Sequence, residues 1–235
     1  MVKKDIKRFT TWAEINLKAA RRNCSLINQK VGKNVTVVAV VKADAYSHGA
    51  LPLAKAFLAE GAKFLAVATV DEGIELRSSG INTPIVIFNP ILPGEIDRIL
   101  EYVLTPTVDN LRICELLDER NKSRYGEKVR VHIEIDTGMG RSCLCPDKAV
   151  SEIDRITALK NLVVEGIYTH FPSAEDDKEF TTKQITEFKR LIAKLEKAEI
   201  AIPFKHCANS AGVLAFPESY FNMVRPGLCL SGISP

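Results

Sequence analysis

The sequence is poor in several features that would decide its class outright, and each absence narrows the reading. No apolar run is long enough to span a bilayer, and the opening residues lack the apolar stretch and small-residue cleavage site of a secretory signal. A cytoplasmic protein with no membrane partner is expected. Excess charge is also missing: 32 Lys and Arg against 29 Asp and Glu leave a net charge of +3, no footprint for nucleic acid as the main ligand. A short basic run, Lys3, Lys4, Lys7 and Arg8, reads as a solvated tail over residues 1–9. The four histidines show no paired spacing on a helical face, so no metal site is expected. Six cysteines fall in no disulfide or zinc-ribbon pattern and fit reduced thiols. A small-molecule ligand becomes the leading class.

What is present is a chain of 235 residues, 46% apolar, enough for one full core. From about residue 35, short β-branched runs alternate with longer amphipathic segments, the signature of βα units around a parallel sheet. Eight strand candidates can be counted, at 35–41, 64–70, 84–88, 103–108, 129–135, 163–169, 202–207 and 222–231. Helical patterns lie between them at 50–60, 71–79, 94–102, 109–122, 146–159, 180–198 and 210–216, with Asp71 and Asp109 as candidate caps. A further helix at 17–31, with Asn16 as N-cap, precedes the first strand and is expected over the barrel's bottom. These elements predict a (β/α)8 TIM barrel over residues 10–235. A doubly wound open sheet ranks second, because the turn after strand one, KADAYSHG, carries its glycine at the far end instead of forming a glycine-rich phosphate loop.

In a barrel the chemistry belongs at the carboxyl ends of the strands. Lys42 directly follows the apolar run VTVVAVV, where desolvation would lower its pKa and make it nucleophilic. Arg141 follows strand five in DTGMGRS, and His170 closes strand six. Asn209 and Ser210 open the short helix after strand seven, offering a hydroxyl and free N–H groups to an anion. Arg225, Gly227 and Leu228 are expected within strand eight, where Gly227 allows close backbone approach. Singly, each has an ordinary reading: Lys42 as a strand exit, Ser210 as a cap, His170 as a strand-end polar residue, Arg225 as a rim charge. Together, a lysine, an anion cradle and Arg and His groups around one mouth match a pyridoxal phosphate (PLP) enzyme better than a hydrolase. Ser210 has no His and Asp at a triad spacing.

The segments AVVKADAYSHGA, VHIEIDTGMGR, YTHF, HCANSAG and VRPGLCLSGISP, in this order, resemble the N-terminal barrel of alanine racemase. The resemblance implies Lys42 as the lysine that holds PLP, Tyr46 in the cofactor loop, and His170 beside the pyridine ring. It implies Asn209, Ser210, Gly227 and Leu228 around the phosphate, Arg225 at the pyridine nitrogen, and Arg141 near the phenolic oxygen and the substrate carboxylate. Lys42, Arg141 and His170 are then the expected catalytic residues. The implied activity is interconversion of L- and D-alanine for peptidoglycan supply, with serine as a second candidate substrate. The family works as a homodimer whose second base, a tyrosine, comes from the partner's C-terminal β-domain, which would begin where these residues end. A single chain of this length is therefore expected to bind PLP and racemise poorly. The competing class is a non-catalytic single-barrel PLP-binding protein; a decarboxylase on the same barrel would need a glycine-rich phosphate loop.

Several residues depart from the pattern. Asp44 and Ser47 stand where Asn and Gly are usual, and Ser231 replaces a tyrosine expected in the final strand. Glu134 lies where many members carry a carbamylated lysine, so its carboxylate is expected to brace Arg141 directly.

Overall fold

The computed structural model describes residues 10–122, 127–141 and 143–235; the basic run at 1–9 lies outside them. Eight parallel strands are present among these residues: β1 (Thr36–Val40), β2 (Phe64–Val67), β3 (Ile85–Ile87), β4 (Thr105–Val108), β5 (Val129–Glu134), β6 (Leu162–Tyr168), β7 (Phe204–His206) and β8 (Met223–Val224). They hydrogen-bond in the order β7-β6-β5-β4-β3-β2-β1-β8. Between the two end strands the ladder gives way to single bonds. Arg225 N–H reaches Ala208 O at 2.9 Å, and Lys205 N–H reaches the Asn222 side chain at 2.8 Å. The sheet is thus a nearly closed (β/α)8 barrel, and the open-sheet alternative is excluded.

The returning helices are α3 (Ala50–Ala59), α4 (Val70–Ser78), α5 (Ile96–Glu101), α6 (Leu111–Lys122), α7 (Pro146–Thr157), α8 (Lys178–Lys197) and α9 (Ser210–Ala215). The first helix, α1 (Leu17–Val31), begins at Asn16, whose side chain accepts from Ala19 N–H. It does not cover the bottom. Its buried Ala20, Cys24, Ile27 and Val31 recur at helical spacing, and Asn28 and Asn23 bond the carbonyls of Glu60 and Leu230. α1 therefore packs on the flank, in the place a helix after β8 would fill.

Three local expectations are corrected. Strand eight shrinks from 222–231 to two residues, because Pro226 has no N–H for the ladder. Arg225, Gly227 and Leu228 follow it, and Ser231 ends a 3-10 turn, Leu228–Ser231, instead of lying in a strand. The helix at 94–102 starts as a 3-10 turn at Pro93–Glu95. Asp71 and Asp109 are not the caps: Thr69 forms a capping box with Glu72, and Asn110 accepts from Ile113 N–H.

Alternation along the strands sorts the interior. Val38, Val40, Phe64, Ala66, Val86 and Met223 form an inner apolar cluster. Val37, Ala39, Leu65, Ile85, Val131 and Ile133 belong to the larger cluster that the helices cover. On the β5–β8 side the buried residues include His132, Glu134, Glu165, His206 and Arg225. That polar half underlies the site.

Candidate active site at the mouth of the barrel

Immediately after β1 the chain turns with the wrong hand. Ala43, Asp44, Ala45 and Tyr46 hold φ of 51–56° and ψ of 44–52°, a left-handed turn, α2 (Lys42–Ser47), in a stretch without glycine. Ser47 continues it at φ 66°. Each such residue costs roughly 1–2 kcal/mol, so the surrounding contacts must over-determine the shape. They do so from three directions. Ala45 N–H bonds Val41 O at 2.9 Å, and Ala43 N–H bonds Glu72 Oε1 at 2.8 Å. Asp44 Oδ1 accepts from Ala50 N–H at 2.6 Å. Asp44, the departure noted above, thus ties the turn to α3. The turn begins at Lys42 and brings Tyr46 against the chain after β8, where a Cβ on Gly227 would lie 2.5 Å from the Tyr46 hydroxyl. Only glycine fits there.

Lys42, Tyr46, Arg141, His170, Asn209, Ser210, Arg225, Gly227 and Leu228 all line one cavity of about 470 Å³ at the carboxyl ends of the strands. Val40, Phe88, Asn89, Tyr168, Glu175 and Ala211 share the lining and were not singled out from sequence. Tyr168 was the legible one, as the last residue of a buried strand facing the mouth. Burial, followed by the nearby Arg141, pulls the Lys42 amine below the ordinary lysine range. Burial also pushes His170 down to about 3, with Arg225 and Arg141 adding to it, so its imidazole is neutral.

Arg225 is buried and is not a rim charge. Its Nη1 donates to His206 Nδ1 at 2.9 Å and its Nη2 to Thr169 O at 2.8 Å and Cys207 O at 3.1 Å. The guanidinium lies 4.8 Å from the Tyr168 ring centroid. Arg141, half-exposed at the rim, donates to the buried Glu134 carboxylate at 2.9 Å. Desolvation works against that guanidinium's charge and Glu134 outweighs it, which holds its pKa up. On the far wall, Ser210 Oγ accepts from Gly227 N–H at 3.0 Å and Cys229 N–H at 3.3 Å. Asn209 caps α9 by accepting from Gly212 N–H. The cavity thus has a desolvated amine on one wall, a buried cation in its floor, a braced cation at its rim and converging N–H groups opposite.

A profile described as the alanine racemase N-terminal domain matches residues 15–235. The chain belongs to this family. It is similar to the alanine racemase of Desulforamulus reducens, 44% identical over 95% of this chain and 61% of that protein. It is also similar to that of Halothermothrix orenii, at 40% identity over 97% of this chain and 61% of that protein. Among solved structures, the alanine racemase of Clostridium difficile 630 in complex with cycloserine superposes with a TM-score of 0.90 at 38% identity. That match covers 94% of this chain and 62% of that one. The chain therefore spans about three fifths of the length of its relatives. No helix among the described residues is long and apolar enough to cross a membrane.

Proposed function

We propose that residues 10–235 are the cofactor-binding barrel of a PLP-dependent, cytoplasmic alanine racemase, with Lys42 as the covalent lysine. The observation that carries the reading is the convergence of a desolvated lysine, a buried arginine and a built anion cradle on one cavity. The fit to PLP is testable on the cradle itself. The absence of a Cβ on Gly227 lets the Tyr46 hydroxyl close onto this wall, and the N–H groups of Gly227 and Cys229 already turn toward a hydroxyl. Asn209, Ser210, Gly227, Leu228 and Tyr46 would hold the phosphate, Arg225 the pyridine nitrogen, and His170 the ring edge. When bound, PLP supplies a carbonyl that joins an amine and a ring that draws electrons from Cα.

The residues do the rest. Lys42, whose pKa burial pulls below the ordinary lysine range, serves first as nucleophile and then as base at Cα. Arg141 at the rim offers a cation to the carboxylate of an amino acid. Arg225 is donor-only, so it disfavours a protonated ring nitrogen and steers the chemistry toward reprotonation at Cα over transamination. A second base is needed on the opposite face. His170 is held neutral well below its ordinary range, and burial pushes Tyr46 and Tyr168 up, so neither tyrosine readily gives up its proton. In this reading the second base comes from a C-terminal domain of the partner in a homodimer. This chain alone would exchange the Cα hydrogen of alanine with solvent while racemising poorly.

The deciding experiment is borohydride reduction of the chain with PLP, followed by peptide mass mapping. A single phosphopyridoxyl group on Lys42 supports the reading; labelling scattered over surface lysines overturns it.

A further inference from the structure

A line of buried polar groups runs away from the cavity through the barrel interior, and the catalytic reading does not use it. Arg225 Nη1 lies 2.9 Å from His206 Nδ1, and His206 Nε2 lies 3.0 Å from His132 Nδ1. His132 Nε2 faces Glu165 Oε2 at 3.5 Å, and these two buried atoms have no other partner. Glu165 Oε1 accepts from Arg130 Nη1 at 2.7 Å, and Arg130 is largely exposed. The four inner residues are buried.

Local structure is shaped around this line. The β5–β6 register shifts between Val131 and His132: Val131 pairs with Val164, but His132 pairs with Gly166. Glu165 is the extra residue of that bulge, a feature that re-aims side chains. Beside it, a Cβ on Gly166 would stand 2.5 Å from the His132 ring. The sequence V-E-G in β6 therefore makes room for one imidazole and supplies the carboxylate that faces it. Tyr168 stacks on His206 at 4.8 Å and 18°.

Proton direction along the line follows from valence. A guanidinium only donates. His206 Nδ1 must accept, which leaves its proton on Nε2, and that proton points at His132 Nδ1. His132 Nδ1 then accepts, its proton sits on Nε2, and it points at the Glu165 carboxylate. Protonating His206 would place an N–H against the arginine. Burial pushes both imidazoles below their ordinary range, in keeping with neutral rings.

We infer that Glu165, His132 and His206 are positioning residues that form a one-way hydrogen-bond chain, anchored at Glu165, which fixes the orientation of Arg225 beneath the cavity. The consequence for catalysis rests on the reading of Arg225 as the partner of the PLP ring; the direction of the chain does not.

The test is 15N NMR of the imidazoles in the folded chain without cofactor. Both rings are expected as neutral Nε2–H forms. In Glu165→Gln the single amide oxygen is taken by Arg130, and the amide N–H₂ turned to His132 Nε2 gives the line a donor at both ends, so one link must break and the 15N signals should depart from the wild-type Nε2–H pattern, His132 first. Adding Arg130→Met frees that oxygen and restores the pattern, while Arg130→Met alone changes neither ring. A role in packing alone would show no such loss and rescue. Finding either wild-type ring charged or as Nδ1–H overturns the inference even if Glu165→Gln fails to fold, and so does Glu165→Gln with an unchanged 15N pattern. Borohydride labelling of the same wild-type protein tests the PLP reading separately, so the two can fail independently.

Discussion

The two halves of the barrel interior are built on different principles. Between β1 and β3 the inner residues are Val38, Val40, Phe64, Ala66 and Val86, which need only volume and water exclusion. Between β5 and β8 they include His132, Glu134, His206 and Arg225, each of which needs a named partner at hydrogen-bond distance. An apolar interior tolerates small changes of shape, whereas a polar one fails when a single member is lost. The half that is expensive to build is the half that faces the chemistry. Lys42 is the exception: it comes from the apolar half and reaches the mouth through the left-handed turn.

The contrast can be tested by substitutions ranked by expected effect. Lys42→Ala in the full-length protein removes the proposed nucleophile and base together, and turnover should fall by on the order of 10³-fold or more, measured by racemase assay, with the borohydride label lost. Arg225→Met strips donors from His206 and from the carbonyls of Thr169 and Cys207. About 3–5 kcal/mol of stability should go, read as a large drop in Tm. The polar half should also make the fold acid-sensitive. His132, His170 and His206 are all held below their ordinary value. The unfolded chain binds their protons near pH 6.5 and the native one does not. Stability is therefore complete above that value and falls as pH drops below it, by up to about 1.4 kcal/mol per pH unit for each histidine. Denaturant titrations at pH 7 and pH 5 measure this; equal midpoints would contradict the neutral histidines.

Smaller effects complete the series. Glu134→Gln weakens the brace on a half-exposed Arg141, so KM for alanine should rise by about fivefold in the full-length protein, and unchanged cofactor binding and activity would remove the bracing role. Behind the apolar half, on the helix-facing side of β3, Ile85→Val should cost only about 1 kcal/mol and leave the Lys42 label untouched. A comparable loss of labelling there would erase the distinction between the halves.

The apolar half was also the more legible. The runs 35–41 and 64–70 announced β1 and β2 by composition, and α1 was readable from Asn16 and the spacing of Ala20, Cys24, Ile27 and Val31. The mouth positions of Lys42, Arg141, His170 and Ser210 followed from strand ends. His132 and His206 went unread because they stand in separate strands, far apart in sequence, and strand spacing alone does not say which interior polar groups will meet. Strand eight misled because a β-rich composition continued past Pro226. The left-handed turn had no glycine to announce it; its cause lies in Glu72 and in the cap of a helix about thirty residues away.

That turn has one more consequence, which concerns chirality. Residues 43–47 belong to an L-chain yet hold the backbone angles that are relaxed for the opposite configuration. At exposed Ala43, with φ 51° and ψ 52°, a D-alanine residue introduced by semisynthesis would sit in its own preferred well and relieve roughly 1–2 kcal/mol. In the segment that carries the proposed catalytic lysine, the stereoisomer proposed as the enzyme's product would fit the main chain better than the one the ribosome supplies.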